Sequence, residues 1–441
     1  MRDVALTAFI FGLLPFVFKR PWLGVLLWTW IGMMSPHRLT WGFAYSMQFA
    51  AIVGVVTLIA LLISKEQKRY PFTPVTATLI LLVLWMNVSY LFAINPTSYP
   101  YVQWDKVMKI QLFIAVTMLA MTTAERIGWL VWVATMSIAF FGIKGGVFTL
   151  TSGGGSMVLG PEGSFISGNT EISLAITMSI PLLRYLQMQS PKRLVRWGLG
   201  IGMILCGVAV LGSYSRGGLL AVAAMGGFLW LKSRNKLVIG VALVMLIPVM
   251  LTVMPDKWFD RMSTIQTYEQ DGSAMGRINA WQMAINLAKD RPLTGGGFGA
   301  FTDEAFARWA PNPTDVHDAH SIWFQMLGEH GFVGIGLFIL FWALSWRLAS
   351  GIIKDGRSRP GLRWAGDLAA MIQVSLIGYW VGGSFLGLSY WDMPYVLVTI
   401  LVMMRCVIDK QLQAVTAASS SLQQPAAIAV ENPAVRQGRY G

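Results

Sequence analysis

Apolar residues along this 441-residue chain gather into thirteen runs, at 4–18, 22–34, 46–63, 74–93, 107–121, 127–148, 171–187, 197–213, 217–231, 237–254, 320–346, 367–388 and 394–408. Each is long enough, or nearly so, for a helix to cross a hydrocarbon layer of ~30 Å. The first two are short and pair as a partial hairpin, which leaves about twelve full spans. The expected fold class is an all-α polytopic integral membrane protein. No internal repeat is evident along the chain.

The polar stretches between the runs set the orientation. SKEQKR (64–69), SPKRLVR (190–196), KSRNK (232–236) and KDGRSRPGLR (354–363) are basic, which places them in the cytoplasm. The segments between them, 94–106, 149–170, 212–217 and 255–319, then face outward. The last is the largest and carries nine acidic against six basic side chains, in contrast to the basic loops. Four regions follow: N-terminal transmembrane helices over 1–254, a large outer loop over 255–319, C-terminal transmembrane helices over 320–408 and a tail over 409–441. The tail is rich in Ala, Ser, Gln and Pro and is expected to be disordered and cytoplasmic.

Composition sharpens the picture in three ways. Only 12% of residues are charged against 55% hydrophobic, whereas soluble domains run near ~25% charged. The net charge of +13 sits in the short cytoplasmic loops and does not point to nucleic acid. Cys206 and Cys406 lie far apart in apolar runs, as small core residues rather than a disulfide framework or metal knuckle. The N-terminal apolar stretch has no small-x-small cleavage pattern after it and reads as a retained membrane segment.

Against this apolar background a few polar residues stand out. Arg216, in LGSYSRGGLL, lies between two cytoplasmic loops, so SYSRGG is a turn near the opposite face. Arg216 is either a snorkelling side chain at a helix end or a guanidinium held at a cavity mouth for an anionic ligand. Gly217 and Gly218 would let a ligand or another helix approach. Arg277 falls in a helical pattern from Ala274 to Lys289, with Ile278, Trp281, Ile285 and Ala288 sharing a membrane-facing stripe. With Gly272 and Ser273 as starting residues, Arg277 sits in the first turn. A cation is disfavoured there unless an anion binds the same helix end. GGGFG (295–299) is a tight turn after Pro292, not a nucleotide loop, since no strand precedes it and no Gly-Lys-Ser/Thr follows. Lys144 and Glu171, near the outer ends of apolar runs, read as interfacial anchors.

Three of the four histidines cluster in HDAHSIWFQMLGEHGFVG (317–334). With 320–346 as one helix, the 27 residues from His320 to Arg347 span ~40 Å, more than the ~30 Å core. His320 therefore stands near the outer interface. His330 lies ~15 Å deeper and ~80° off the His320 stripe, so the two cannot share a metal ion. His317 and His320, with Asp315 or Asp318, lack a third neutral donor nearby. No metal site and no cofactor is expected. His320 is either a hydrogen-bonded interfacial side chain or a general base able to take a proton from a hydroxyl. Gly331 falls close to the His320 stripe, with Gly334 near the same face, where small residues would let another helix pack closely.

Together these features resemble the bacterial O-antigen ligase and polymerase superfamily. His320-Ser321, nine residues, then Gly331-Phe-Val-Gly334 matches the ligases' H-[NSQ]-x9-G-x-x-[GTY] pattern. Arg216 and Arg277 are similar in placement to the ligases' membrane-edge and outer-loop arginines. RPLTGGGFGAF (291–301) resembles the family's Pro-Leu-x-Gly-x-Gly-x-Gly turn, and GSFISGNTEISLA (163–175) its Asn-containing outer segment, although the usual Pro-Asn pair is missing. The chain is also similar to O-glycosylation ligases encoded near exosortase systems. The resemblance implies a glycosyltransferase-C-like fold in the bacterial inner membrane with its site facing the periplasm. It implies an undecaprenyl-diphosphate-linked glycan donor and a lipid A-core acceptor. His320 would be the base, Arg216 and Arg277 would hold the diphosphate, and Ser321, Gly331 and Gly334 would be motif positions. The chain has no Asp-x-Asp, and its 35–45 loop has no carboxylate, unlike polyprenyl glycosyltransferases that hold a metal in an acidic first loop. A polymerase or protein O-glycosylating ligase of the same superfamily, and an anionic lipid or solute transporter, are the alternatives.

Overall fold

The computed structural model describes residues 1–232, 254–263 and 272–422, with positions 236–237, 240–241, 244 and 252 between them. Among the described residues every regular element is helical. In chain order these are α1 (Arg2–Lys19), α2 (Pro21–Met34), α3 (Phe49–Ile63), α4 (Pro74–Leu91), α5 (Tyr99–Ala120), α6 (Ala124–Thr151), α7 (Asn169–Gln189), α8 (Arg193–Gly212) and α9 (Arg216–Lys232). Then come α10 (Asp256–Ser263), α11 (Gly272–Asp290), α12 (Asp303–Trp309), α13 (Ile322–Ser358), α14 (Arg363–Gly383) and α15 (Asp392–Leu422). Short 3-10 turns fill 36–39, 43–46 and 360–362. Among the described residues four helices are long and apolar enough to cross a membrane: Pro74–Leu91, Ala124–Thr151, Arg193–Gly212 and Ile322–Ser358. Pro21–Met34, Phe49–Ile63 and Arg216–Leu231 are shorter apolar helices.

Local chemistry explains many of the boundaries. Proline sits at the first turn of α2, α4 and α5, where a missing N–H costs nothing and φ is already helical. Thr73 and Thr76 form a reciprocal capping box at α4, and Thr302 caps α12 by accepting from the Ala305 N–H, each satisfying donors that a helix start leaves free.

Twelve of the thirteen apolar runs fall on helices; the run 237–254 lies outside the described residues apart from isolated positions. Three boundaries differ. α5 begins at Tyr99, well before the apolar run at 107, because its first turns are polar. α13 continues to Ser358, so the first half of the basic stretch expected as a loop is α-helical. The last helix runs to Leu422, past the boundary at 409 where a structureless tail was expected. Arg405 explains its start: it bridges Asp355 of α13 at 2.6 Å and Asp409 on its own helix at 2.5 Å. Residues 423–441 lie outside the described part.

The core is centred on α7, α14 and the first half of α15. Ile172–Ser179 is buried without interruption, and so is 391–404. A helix apolar all round belongs in such a place. Trp342 of α13 packs on Tyr379 and Tyr395, and Phe341 stacks on Tyr395. α6 and α8 approach through glycine: a Cβ on Gly146 would fall 2.7 Å from the Leu205 carbonyl carbon. Outward, α3, α4 and α8 leave Leu62, Leu84 and Ile204 exposed, the apolar belt of a membrane-embedded bundle.

Candidate active site

The decisive local feature is a break in α13. Gly331 has φ 67° and ψ −167°, a combination open to glycine and almost nothing else. A broken helix frees carbonyls that must find donors. The carbonyl of Gly328 accepts from the Gly296 N–H at 2.8 Å and that of Glu329 from the Gly297 N–H at 2.8 Å. The carbonyl of His330 accepts from the Trp85 indole at 3.0 Å. The Phe332 N–H in turn donates to Pro292 at 2.8 Å. So GGGFG is the tight turn expected, with Gly295, Gly297 and Gly299 all at positive φ, and its backbone is the partner of the broken helix. Gly331 and Gly334 serve this break. Gly331 does not lie under His320 to admit a neighbouring helix, as the uninterrupted-helix reading expected; its Cβ would strike Leu293 and Pro292 backbone. A Cβ on Gly334 would strike the Cβ of His330.

Just before the break, Glu329 lines a polar cavity of about 490 Å³. Glu329 is almost fully buried. It accepts from the Gly299 N–H at 2.9 Å and from the Tyr390 hydroxyl. Tyr390 also meets His330 Nε2 at 2.6 Å, while His330 Nδ1 lies 2.5 Å from Ser89 Oγ. His330 is thus fully buried and hydrogen-bonded behind Tyr390, and it does not line the cavity. The same cavity is lined by His320, Asp318, Glu171, Gln325 and Lys106.

His320 sits in the loop before α13, not on it. The helix begins at Ile322, and Ser321 occupies its N-cap position without a side-chain cap bond; the Ser321 hydroxyl is buried. His320 has φ 40°, an uncommon backbone state for a residue with a Cβ and one that clusters at functional sites. Trp281 of α11 fixes this segment: its indole donates to the Ala319 carbonyl at 2.7 Å, and its ring stacks on Phe324 at 4.9 Å. Arg277 precedes Trp281 by four residues and so shares its helix face. Burial first, and then the Arg277 charge, pull the His320 imidazole below its ordinary value of 6.5, with Asp318 and Glu171 opposing. The neutral, proton-accepting form is favoured.

α11 starts at Gly272, so Arg277 lies in the second turn rather than the first. Its most buried stripe is Gly276, Ala280, Met283, Ala284 and Leu287, packed on α12 and α13, with Ile278, Trp281 and Ile285 half-buried beside it. The helix-start arginine is Arg216, the first residue of α9. Asn169 holds the preceding turn by donating to the Ser213 carbonyl at 2.8 Å. Gly217 and Gly218 admit helices: a Cβ on Gly218 would strike Ser173 of α7, and one on Gly217 would lie 3.6 Å from Phe385. Arg216 does not line the cavity; it stands beside the start of α7, whose Glu171 does. Glu171 is therefore a cavity residue rather than an interfacial anchor, whereas Lys144 is exposed on α6. His317 pairs with Asp315 at 2.8 Å and packs against Gly276. Among the described residues no three His, Cys, Asp or Glu side chains group as metal ligands.

Residues 201–339 match the O-antigen ligase family. Over that segment the chain is similar to O-antigen ligases. Arg216, Arg277, His320, Ser321, Glu329, Gly331 and Gly334 all fall inside that ligase-type segment. Residues 1–190 match a family of unknown function, and it is this segment that supplies Lys106 and Glu171. No curated protein matches the chain. The cavity is thus assembled from both matched segments, with Tyr390 added from the C-terminal part.

Glu329, Tyr390 and Lys106 were not singled out from the sequence. A signal for Glu329 existed: it is the one carboxylate in the apolar run 320–346, and an ionisable residue inside a membrane span marks a functional site by default.

Proposed function

We propose that this chain is an inverting, metal-independent lipid-to-lipid glycosyltransferase, an O-antigen ligase. It moves glycan from undecaprenyl diphosphate to a sugar hydroxyl of lipid A-core at the periplasmic face of the bacterial inner membrane. In this proposal about twelve helices span the bilayer, 255–319 lies in the periplasm and the C-terminal end lies in the cytoplasm. The carrying observation is the placement of His320: strained, half-buried, depressed toward its neutral form by burial and by Arg277, and facing a polar cavity inside the ligase-type segment.

The chemistry balances with these groups. His320 takes the proton of the acceptor hydroxyl. The oxygen attacks the anomeric carbon from the face opposite the diphosphate, the carbon–oxygen bond to the diphosphate breaks, and configuration inverts. Negative charge grows on the departing diphosphate, and Arg277 with Arg216 stabilises it; preorganised cations are worth most there. Arg216, at the positive end of α9, adds the favourable helix dipole to its guanidinium.

Purified protein is expected to transfer glycan from the polyprenyl diphosphate donor to lipid A-core without added metal. His320→Ala abolishes transfer with donor still bound, and Arg216→Ala or Arg277→Ala weakens donor use. Full activity in His320→Ala, or loss of wild-type activity in EDTA, refutes the mechanism. In cells, deletion is expected to remove long-chain lipopolysaccharide while lipid-linked polymer accumulates; loss of the polymer itself would instead mark a polymerase.

A further inference from the structure

Beside the His320 cavity lies a second one of about 520 Å³, with walls from α2, α3 and α5. Such a volume is within the usual range of about 300–1,000 Å³ for a small-molecule site. Trp28, Ile31, Val55, Leu58 and Phe113 make its body apolar. Along α3 it runs from Gln48 to Leu58, a depth of ~15 Å at helical rise. Its rim is cationic: Arg38, Lys106 and Lys109 stand there against one carboxylate, Asp392. Lys109 is paired with Asp105 at 2.6 Å. The Lys106 ammonium rests over the Phe165 ring, 3.5 Å from the centroid. His37, also on the rim, has a buried Nδ1 with no hydrogen-bond partner.

The two cavities share Lys106, Ser164 and Phe165. An apolar groove, a cation at its mouth and a polar chamber beyond it have the profile of an amphiphile. A lipid tail in ordinary contact with the bundle needs only the apolar wall; it does not need three cations gathered at one end. Arg216 and Arg277 stand on α9 and α11, neither of which lines the groove, so it gives a second lipid its own way to His320.

We propose that the α2–α3–α5 groove binds a membrane lipid phosphate, with the apolar chain against Val55, Leu58 and Phe113 and the phosphate at Lys106 and Arg38. Resting on the transferase proposal for its meaning, the groove makes the acceptor an anionic lipid that approaches His320 from the side away from the donor's arginines. Ser164 and Phe165 then form the threshold between tail and head.

Binding is measured on the full chain in a non-ionic detergent by native mass spectrometry, with dioleoyl phosphatidic acid as probe and dioleoylglycerol and inorganic phosphate as comparisons. The phosphatidic acid is expected to bind at least tenfold tighter than dioleoylglycerol. Lys106→Gln removes most of that preference. Val55→Trp, which fills the groove, cuts binding of both acyl probes about tenfold, and Leu58→Trp gives a second filled variant should the first fold poorly. Leu62→Trp, exposed on the same helix and outside the groove, binds as wild type. Equal binding of dioleoylglycerol and its phosphate overturns the proposal. So does unchanged binding in Val55→Trp and Leu58→Trp, or displacement of the probe by inorganic phosphate at equal concentration. His320→Ala separates the two proposals: it leaves probe binding intact if the groove is correct, and retained transfer in that variant would sink the transferase mechanism while leaving the groove standing.

Discussion

Gly331→Ala is the substitution that tests the architecture most directly. An alanine at φ 67° and ψ −167° costs about 1–3 kcal/mol in backbone strain alone. Its methyl group would also meet the Leu293 carbonyl oxygen and lie 2.7 Å from that of Pro292. These are backbone atoms and cannot rotate away, so the 291–299 turn must move. That movement strains three hydrogen bonds of 2.8 Å, from Phe332 to Pro292, Gly296 to Gly328 and Gly297 to Glu329. Losing two of them, at about 1 kcal/mol each, brings the total to roughly 3–5 kcal/mol. The control is Gly336→Ala in the same helix, where a Cβ meets nothing within 4 Å and helix propensity improves by up to about 1 kcal/mol. The assay is the thermal midpoint of detergent-purified protein, followed by tryptophan fluorescence. Gly331→Ala is expected to fall roughly 5 °C or more below wild type, and Gly336→Ala to match or exceed it. Equal midpoints for the two variants would mean that the helix is not broken at Gly331.

Three further outcomes follow from the same geometry. Because burial and Arg277 hold the His320 imidazole below 6.5, the base form persists to lower pH; activity falls only as pH drops through that lowered value, and the acid limb of kcat/KM lies below 6.5. Arg277→Gln removes one depressing cause, so the limb of its residual activity moves upward; a limb that stays put or moves down excludes His320 as the titrating base. Glu329→Ala leaves the Gly299 N–H and the Tyr390 hydroxyl without this acceptor, at about 1–3 kcal/mol for each buried donor, while Glu329→Gln keeps one acceptor oxygen; the alanine variant is expected to melt well below the glutamine variant, and equal midpoints would dissolve the network. Gly218→Ala drives a methyl group into the Ser173 side chain, so it destabilises alone and is rescued by Ser173→Gly; a double variant no better than the single one would place the clash elsewhere.

Much of the bundle was legible because apolar runs are a one-dimensional signal. A run either contains enough apolar residues for a helix or it does not, and the turn chemistry of GGGFG is equally local. Ends were less legible, since polar first turns, as in α5, and ion-paired last turns, as around Arg405, look like loop. The candidate residues were legible as polar outliers in an apolar chain: the structure sets His320 on the cavity and Arg277 close enough to act on it, while Arg216 stands off the cavity. The register was not. Treating 320–346 as one regular helix put His320 on a stripe with Gly331, yet His320 lies in the loop before α13 at φ 40°, off the helical period altogether, and the positive φ of Gly331 resets the rotation of the residues after it.

The break matters to Glu329 through its partners rather than its rotation. Glu329 precedes Gly331 in regular helix, and its carboxylate needs a partner inside an apolar run. With the chain broken at Gly331, the GGGFG backbone satisfies the freed carbonyls and at Gly299 offers one more N–H to the Glu329 side chain. The turn and the glutamate are therefore coupled: the backbone that accommodates the break also holds the carboxylate at the cavity wall. The motif spacing from His320 to Gly331 and Gly334 is best understood as the length of chain between a strained loop histidine and the break that shapes the chamber it faces.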